Sequence, residues 1–280
     1  MILQKTIPTL RIKDKLISLQ KPIVMGILNV TPDSFYEGSR INTDKQILKK
    51  ASQMLEEGAT ILDIGGYSTR PNAEDISIEE EINRVVYPIS AIKKEFPNAI
   101  ISIDTFRSKV AREAIHAGAD LINDVSGGSL DRQMFETVAS LKVPYILMHM
   151  RGTPQTMKTL TNYENLIAEM MTYFHNRIMT LKNYGVEEII LDLGFGFAKT
   201  IDQNYFLLKN LAVFENLELP ILAGISRKSM IYKRLDIPVL EALNGTTILN
   251  TIALQNGAKI LRVHDVKPAM EAIQLLSYLK

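Results

Sequence analysis

Ile100-Ile101-Ser102-Ile103-Asp104 is a short apolar run ending on an acid, and Val110, Ala111, Ala114 and Ile115 follow it, spaced as on one face of a helix, before Gly118. Leu121-Ile122 then opens the next apolar run, which ends on Asn123. A strand, a helix and a second strand in this rhythm make a βα unit. The rhythm extends outward in both directions. Residues 23–28, 61–64, 145–148, 189–191, 221–223 and 260–263 are further apolar runs, with helical patterns between them such as Ile47, Lys50, Ala51, Met54 and Leu55 before Gly58. Eight runs starting about 34 residues apart, continuous rather than alternating in apolar character, fit strands buried on both faces of a parallel sheet. Eight such units predict an α/β fold closed as a (β/α)8 barrel. The rival, an open doubly wound sheet, seldom needs eight parallel strands in strict alternation.

The 280 residues are 46% hydrophobic and 22% charged, a composition that fills a large core and excludes a disordered chain. No Ser/Gly-rich linker or shift in composition divides them, so a single domain over 1–280 is expected. Within its first 21 residues, 10–12 and 16–19 flank Asp14-Lys15 as a small hairpin able to plug the barrel's bottom. Lys and Arg total 32 against 31 Asp and Glu, and a net charge of +1 gives no overall attraction for nucleic acid or anionic lipid. Any anion site must be local. The absence of Cys excludes disulfides, thiolate nucleophiles and thiolate metal sites, and fits a reducing compartment. No run reaches the roughly 18 apolar residues of a membrane span, so a cytoplasmic chain with neither membrane nor nucleic-acid partners is expected.

Barrel enzymes carry their chemistry at the C-terminal ends of the strands. Here the runs lead into Asn29, Asp63, Asp104, Asn123, His149, Asp192, Gly224 with Ser226-Arg227-Lys228 behind it, and Arg262 with His264. Any one of these could be a helix cap or turn former; a polar group at the end of every strand points to a site. Asn29-Val30-Thr31-Pro32-Asp33-Ser34-Phe35 opens a polar stretch reaching Asp44, the length of a lid. Gly65-Gly66-Tyr67-Ser68-Thr69-Arg70-Pro71 combines permissive backbone, hydroxyls and a cation, an anion-binding composition. Gly224-Ile225-Ser226-Arg227-Lys228-Ser229 precedes a short helical stretch, so backbone N–H groups and two cations could meet an anion there. Arg262 and His264, two apart on a strand, point the same way. Carboxylates beside an amide suit a ligand rich in N–H donors, such as a pteridine, purine or guanidine ring. His116 and His175 read as surface or packing residues, whereas His149 is open between bonding a loop and touching substrate. With four His, none at i, i+4 spacing, and no Cys, a zinc site has no support.

Six ordered segments resemble the signatures of the dihydropteroate synthase family, pterin-binding barrel enzymes of folate biosynthesis. They are Asn29 to Phe35, Gly65 to Pro71, Met148-His149-Met150-Arg151-Gly152-Thr153-Pro154-Gln155-Thr156-Met157, Gly194-Phe195-Gly196-Phe197, Gly224 to Ser229, and Arg262-Val263-His264-Asp265-Val266, spread over residues 22–266. Tyr67 stands where that family often has Glu, and Leu193 where Pro commonly follows the strand-six Asp. The resemblance implies condensation of 6-hydroxymethyl-7,8-dihydropterin diphosphate with 4-aminobenzoate. It also implies a pterin held by Asp104, Asn123, Met148, Asp192, Phe197, Gly224 and Lys228, with Arg262 stacked on its face. The diphosphate would lie on Asn29, Thr69, Arg70, Arg262 and His264, with Mg2+ bound through Asn29. The aminobenzoate would meet Phe35, Thr69, Pro71, Ser226 and Lys228. Asp104 and Lys228 would be catalytic, with Asp33 ordering the lid or the metal. Diphosphate would leave before the amine attacks, an SN1-like course with no protein nucleophile. A homodimer through the apolar stretches 243–252 and 270–279 is the family's pattern. The nearest rivals are a pterin-barrel methyltransferase acting on methyltetrahydrofolate, which needs no diphosphate pocket, and a pterin-binding paralogue without turnover.

Overall fold

Short β-branched runs form the strands and Ala- and Leu-rich amphipathic stretches the helices, in the order the periodicity predicts. The computed structural model describes residues 8–30, 40–68 and 75–279, without the side chains of 40–44. Two N-terminal strands, β1 (Thr9–Ile12) and β2 (Lys15–Ser18), pair antiparallel. Then follow β3 (Ile23–Asn29), α1 (Arg40–Glu56), β4 (Ile61–Gly65), α2 (Ile78–Glu95), β5 (Ile100–Asp104), α3 (Ser108–His116), β6 (Leu121–Asp124), α4 (Met134–Leu141) and β7 (Tyr145–Met148). The remaining elements are α5 (Leu166–Asn183), β8 (Ile189–Asp192), α6 (Ile201–Lys209), β9 (Ile221–Ala223), α7 (Ser229–Leu235), α8 (Leu243–Gln255), β10 (Ile260–Val263) and α9 (Val266–Ser277). Strands β3 to β10 are parallel in sequence order, and β10 closes on β3 to complete an eight-stranded barrel.

Local signals set the helix ends. Ser77 caps α2 by accepting from the Glu80 N–H at 3.0 Å, and Glu79, Glu80 and Glu81 fill its first turn while Lys93 and Lys94 fill its last, both matched to the helix dipole. Gly118 follows α3 with φ +120°, a conformation costly for a side chain. Two sequence boundaries move. The polar stretch expected to run to Asp44 already turns helical at Arg40, where α1 begins. The helical pattern around His175 runs over 163–184 in the sequence, but the helix starts at Leu166, because Asn165 is extended and its side chain accepts from the Ala168 N–H at 3.1 Å. Tyr163 is thereby left outside the helix, donating to the Ala198 carbonyl at 2.9 Å.

Two apolar zones result. Outward strand residues pack under the helices: Val110, Ala111 and Ala114 of α3 are fully buried against Ile101 and Ile103. Inward residues at the barrel's lower end, Met25, Ile61, Leu121, Ile146, Ile190, Leu222 and Ile260, form a second cluster with Leu10, Ile12 and Leu19 of the hairpin region. The hairpin therefore plugs the bottom, as its position in the sequence predicts. No helix among the described residues is long and apolar enough to cross a membrane.

Candidate active site

Side chains two residues further along a strand lie on the same face. Asp63, Asn123, Asp192, Gly224 and Arg262 therefore share the barrel interior with Ile61, Leu121, Ile190, Leu222 and Ile260, one layer nearer the C-terminal rim. Asp104 joins them, paired in register with Gly65 on one side and Asn123 on the other. Arg262 is the hub. Its Nε donates to Asp63 Oδ2 at 2.6 Å and its Nη2 to Asp104 Oδ2 at 2.6 Å. Asn123 Nδ2 donates to the same Asp63 oxygen at 3.1 Å. Asp63 has no solvent exposure, so an acceptor-only group beneath the site fixes both the guanidinium plane and the amide's orientation, leaving Asn123 Oδ1 free to face a ligand as an acceptor. This corrects the reading of Asp63 as one of the acids offered to a donor-rich ring: it holds the residues that are.

On the opposite side, Asp192 Oδ1 accepts from the Gly194 N–H at 2.8 Å. Lys228 Nζ donates to the Phe195 carbonyl and lies 4.7 Å from the centre of the Phe197 ring. A Cβ on Gly224 would stand 3.7 Å from Asp192 Oδ2, 3.8 Å from Lys228 Nζ and 4.0 Å from Arg262 Cβ. Bare backbone thus leaves space beside Asp192, the Lys228 ammonium and the base of the Arg262 side chain. Met148 and Phe197 belong to an apolar cluster with Val125, Met150, Met157 and Ala198, which gives this polar space one greasy wall.

Burial controls the charges. It pushes the Asp104 carboxyl up to about 7 against the pull of Arg262, and it raises Asp192 against Lys228. It lowers Lys228 to about 8, with Asp192 opposing. Burial also disfavours the Arg262 cation, but Asp63 and Asp104 outweigh it and the guanidinium is held protonated more firmly than usual.

Other expected residues are placed differently. Ser226 Oγ lies 3.0 Å from His264 Nδ1 and accepts from the His264 N–H at 3.2 Å, so the two are coupled beside the rim. Arg227, read as a second cation for an anion beside Lys228, turns away. Its Nε and Nη2 form a two-pronged pair with Asp265 at 2.8 and 2.9 Å, and its Nη1 donates to the Leu240 carbonyl at 3.0 Å. The reason is local: Arg227 has φ +53°, which swings its side chain out of line with its neighbours. His149, left open by the sequence, is buried, and its Nδ1 lies 3.1 Å from Lys199 Nζ, so it bonds a loop residue. Tyr67 is buried edge-on against Phe106, with the Arg107 guanidinium 5.1 Å from its ring centre. Asp33, Phe35, Thr69, Arg70 and Pro71 lie outside the described residues. Sequence reasoning missed the strut role of Asp63 and the whole of Lys199; for Lys199 the signal was a lone Lys inside an otherwise apolar, glycine-rich loop.

Acceptors gathered at a barrel rim with two cations among them suit an enzyme that grips a donor-rich heterocycle. The family model described as pterin binding enzyme matches residues 25–264, and the chain belongs to that family. It is 47% identical to a dihydropteroate synthase of Synechocystis sp. over 89% of this chain and 86% of the relative, and 43% identical to that of Escherichia coli over 93% and 92%. Among solved structures, the Yersinia pestis dihydropteroate synthase with a sulfonamide drug complex superposes with a TM-score of 0.90 at 40% identity, covering 97% of this chain and 99% of that one. The Xanthomonas albilineans dihydropteroate synthase with 4-aminobenzoic acid does so with a TM-score of 0.90 at 36% identity, covering 98% of each.

Proposed function

We infer that this chain acts as a dihydropteroate synthase. It joins 6-hydroxymethyl-7,8-dihydropterin diphosphate to 4-aminobenzoate and yields 7,8-dihydropteroate and diphosphate in cytoplasmic folate biosynthesis. The observation that carries the reading is the linked set Asp104, Arg262, Asp63 and Asn123, facing Asp192 and Lys228 across the space left by Gly224. Asp104, Asn123 and Asp192 offer acceptors to the ring N–H groups and the amino group. Lys228 supplies a donor to the ring's acceptor atoms, and Arg262 lies against its face. The pterin is then fixed in register with its exocyclic methylene toward the rim.

Loss of diphosphate breaks the methylene C–O bond, and the departing oxygen keeps the electron pair. The cation left behind is delocalised into the electron-rich dihydropterin, and the Asp104 carboxylate stabilises it as it develops. The neutral arylamine attacks the methylene and then sheds a proton, so no covalent protein nucleophile is needed. Phe35 and Pro71 would flank the benzene ring, Thr69 would reach the aminobenzoate and the diphosphate alike, and Ser226 would meet the carboxylate. Arg70 and His264 would hold the diphosphate, with Asp33 ordering the first loop. A drug shaped like aminobenzoate would compete for the same slot.

The residues present fit Mg2+. Asn29 Oδ1 and Asp104 Oδ2 each lie 3.7 Å from the point a Cβ on Gly65 would occupy, so the bare backbone of Gly65 leaves a neutral oxygen donor beside the site acid. Among the described residues no cluster of three or more His, Cys, Asp or Glu makes a metal cage, and a hard cation held by one amide oxygen plus substrate oxygens and water suits Mg2+. Asn29 would hold it, and it would supply positive charge to the leaving diphosphate. Exposed Ile248, Leu275 and Leu279 on and beside α8 and α9 support a homodimer through this face.

Diphosphate release is the test, measured with each substrate alone and with both, with and without Mg2+. The expected result is stoichiometric diphosphate and dihydropteroate only when both substrates and Mg2+ are present. Tight binding of the pterin diphosphate with no diphosphate released would make the chain a binding paralogue and overturn the reading.

A further inference from the structure

Among the described residues, Lys199 is the one buried cation that the proposed chemistry does not use. It follows the glycine-rich loop after β8 and is 8% exposed. Burying an ammonium costs several kcal/mol unless its donors are all met. Here three N–H bonds meet three acceptors: Nζ lies 3.0 Å from the Gly194 carbonyl, 3.1 Å from the Phe197 carbonyl and 3.1 Å from His149 Nδ1. Burial pulls Lys199 down to about 7; as the ammonium it can only donate, so Nδ1 then accepts and the His149 proton sits on Nε2.

Those two carbonyls bracket Phe195 and Gly196, the segment against which Lys228 lies. Lys228 Nζ bonds the Phe195 carbonyl and faces the Phe197 ring, and a Cβ on Gly196 would press the Lys228 chain at 3.2 Å. The same loop hangs from Asp192 through the Gly194 N–H, and Gly194, at φ +66°, lies so close to the His149 carbonyl that a Cβ would overlap it at 2.1 Å. One end of the cradle is therefore tied to a ligand-facing acid and both of its flanks to a buried lysine.

We propose that Lys199 is a positioning residue for pterin recognition: its ammonium clamps the Gly194–Phe197 loop to His149 and so holds Lys228 in register with Asp192. This rests on the pterin reading above. Lys199 touches no substrate; it acts through the loop.

The test compares Lys199→Met, which keeps the bulk and removes the donors, with Lys199→Arg, which keeps the charge. Binding of 6-hydroxymethylpterin is followed by its fluorescence, alongside steady-state turnover. Lys199→Met is expected to weaken pterin binding about tenfold or more, the scale of one charged hydrogen bond lost. The KM for 4-aminobenzoate at saturating pterin diphosphate should stay within about twofold, and Lys199→Arg should recover part of the pterin affinity. Equal losses for both substrates, or no loss for either, overturns the proposal. If Lys199→Met does not fold, nitrogen NMR of the wild-type imidazoles decides: a neutral His149 carrying its proton on Nε2 is expected, and a proton on Nδ1 sinks the clamp. Wild-type chain that binds no pterin, while showing the expected His149 tautomer, would instead remove the functional reading and leave the clamp standing.

Discussion

The barrel interior has a floor and a rim made from the same strands. Ile61 and Asp63, Leu121 and Asn123, Ile190 and Asp192, Leu222 and Gly224, Ile260 and Arg262 are successive inward residues, separated by about 7 Å along each strand. Below, the side chains are apolar apart from Ser102, and the hairpin closes them off. Above, the acids Asp63, Asp104 and Asp192 face the cations Arg262, Lys228 and Lys199. The floor gains free energy by leaving water; the rim spends some of it by holding desolvated charges in place. Stability and function are thus stacked along one set of strands, and each can be perturbed alone.

Asp104→Asn gives the largest expected separation. Loss of a preorganised charge opposite the developing cation should lower kcat by about 100-fold. Stability should move the other way. Burial lifts this carboxyl from 3.8 to about 7, so the folded chain binds its proton more tightly than the unfolded chain does. The cost of the ionised form is absent below pH 3.8, grows as pH rises, and is complete above about 7. Removing that cost should leave the Tm of Asp104→Asn at pH 8 no lower than that of the parent, with the difference shrinking toward pH 5. Thermal melts across that range with parallel kcat measurements check both halves; an unchanged kcat removes the charge-stabilising role.

Leu10→Ala tests the floor. Leu10 is buried in the lower cluster, and its truncation should cost about 2–3 kcal/mol, the low end for a buried Leu because the short hairpin can settle into the space. Below the melting range kcat and both KM values should match the parent. A fall in kcat with the fold intact would show that the plug reaches the rim, and the division between floor and rim would fail.

Sequence patterning displayed the floor more fully than the rim. All eight strands and the hairpin follow from apolar runs and their spacing, because burial on both faces leaves few polar residues to blur them. Which polar residues end the strands was equally visible. What each one bonds was not. Asp63 and Asp104 both bond Arg262, which is 158 residues away from Asp104 in sequence, yet Asp63 lies inside β4 as a sealed strut while Asp104 ends β5 and opens to the site. Arg227 and Lys228 are adjacent cations, but a positive φ at Arg227 sends it to Asp265. Backbone conformation and long-range pairing decide such cases, and neither leaves a periodic trace.

Gly224→Ala is the smallest change and sharpens the contrast most. The added methyl would rest 3.7 to 4.0 Å from Asp192 Oδ2, Lys228 Nζ and Arg262 Cβ, ordinary contact distances, and the backbone at Gly224 lies outside the left-handed region. Neither clash nor strain opposes it, and a side chain restricts the unfolded chain, so stability should stay level or rise by less than about 1 kcal/mol. The methyl nonetheless fills space beside the Asp192 carboxylate and the Lys228 ammonium. Pterin affinity should fall about tenfold, the lower end of what one extra carbon costs in a filled site, while the Tm holds. Titration of the folded variant with 6-hydroxymethylpterin, beside its melting curve, reads both quantities. A glycine that could be replaced without loss of stability, and is not free to be replaced without loss of binding, is reserved for a ligand; unchanged affinity in Gly224→Ala would move the ring elsewhere on the rim.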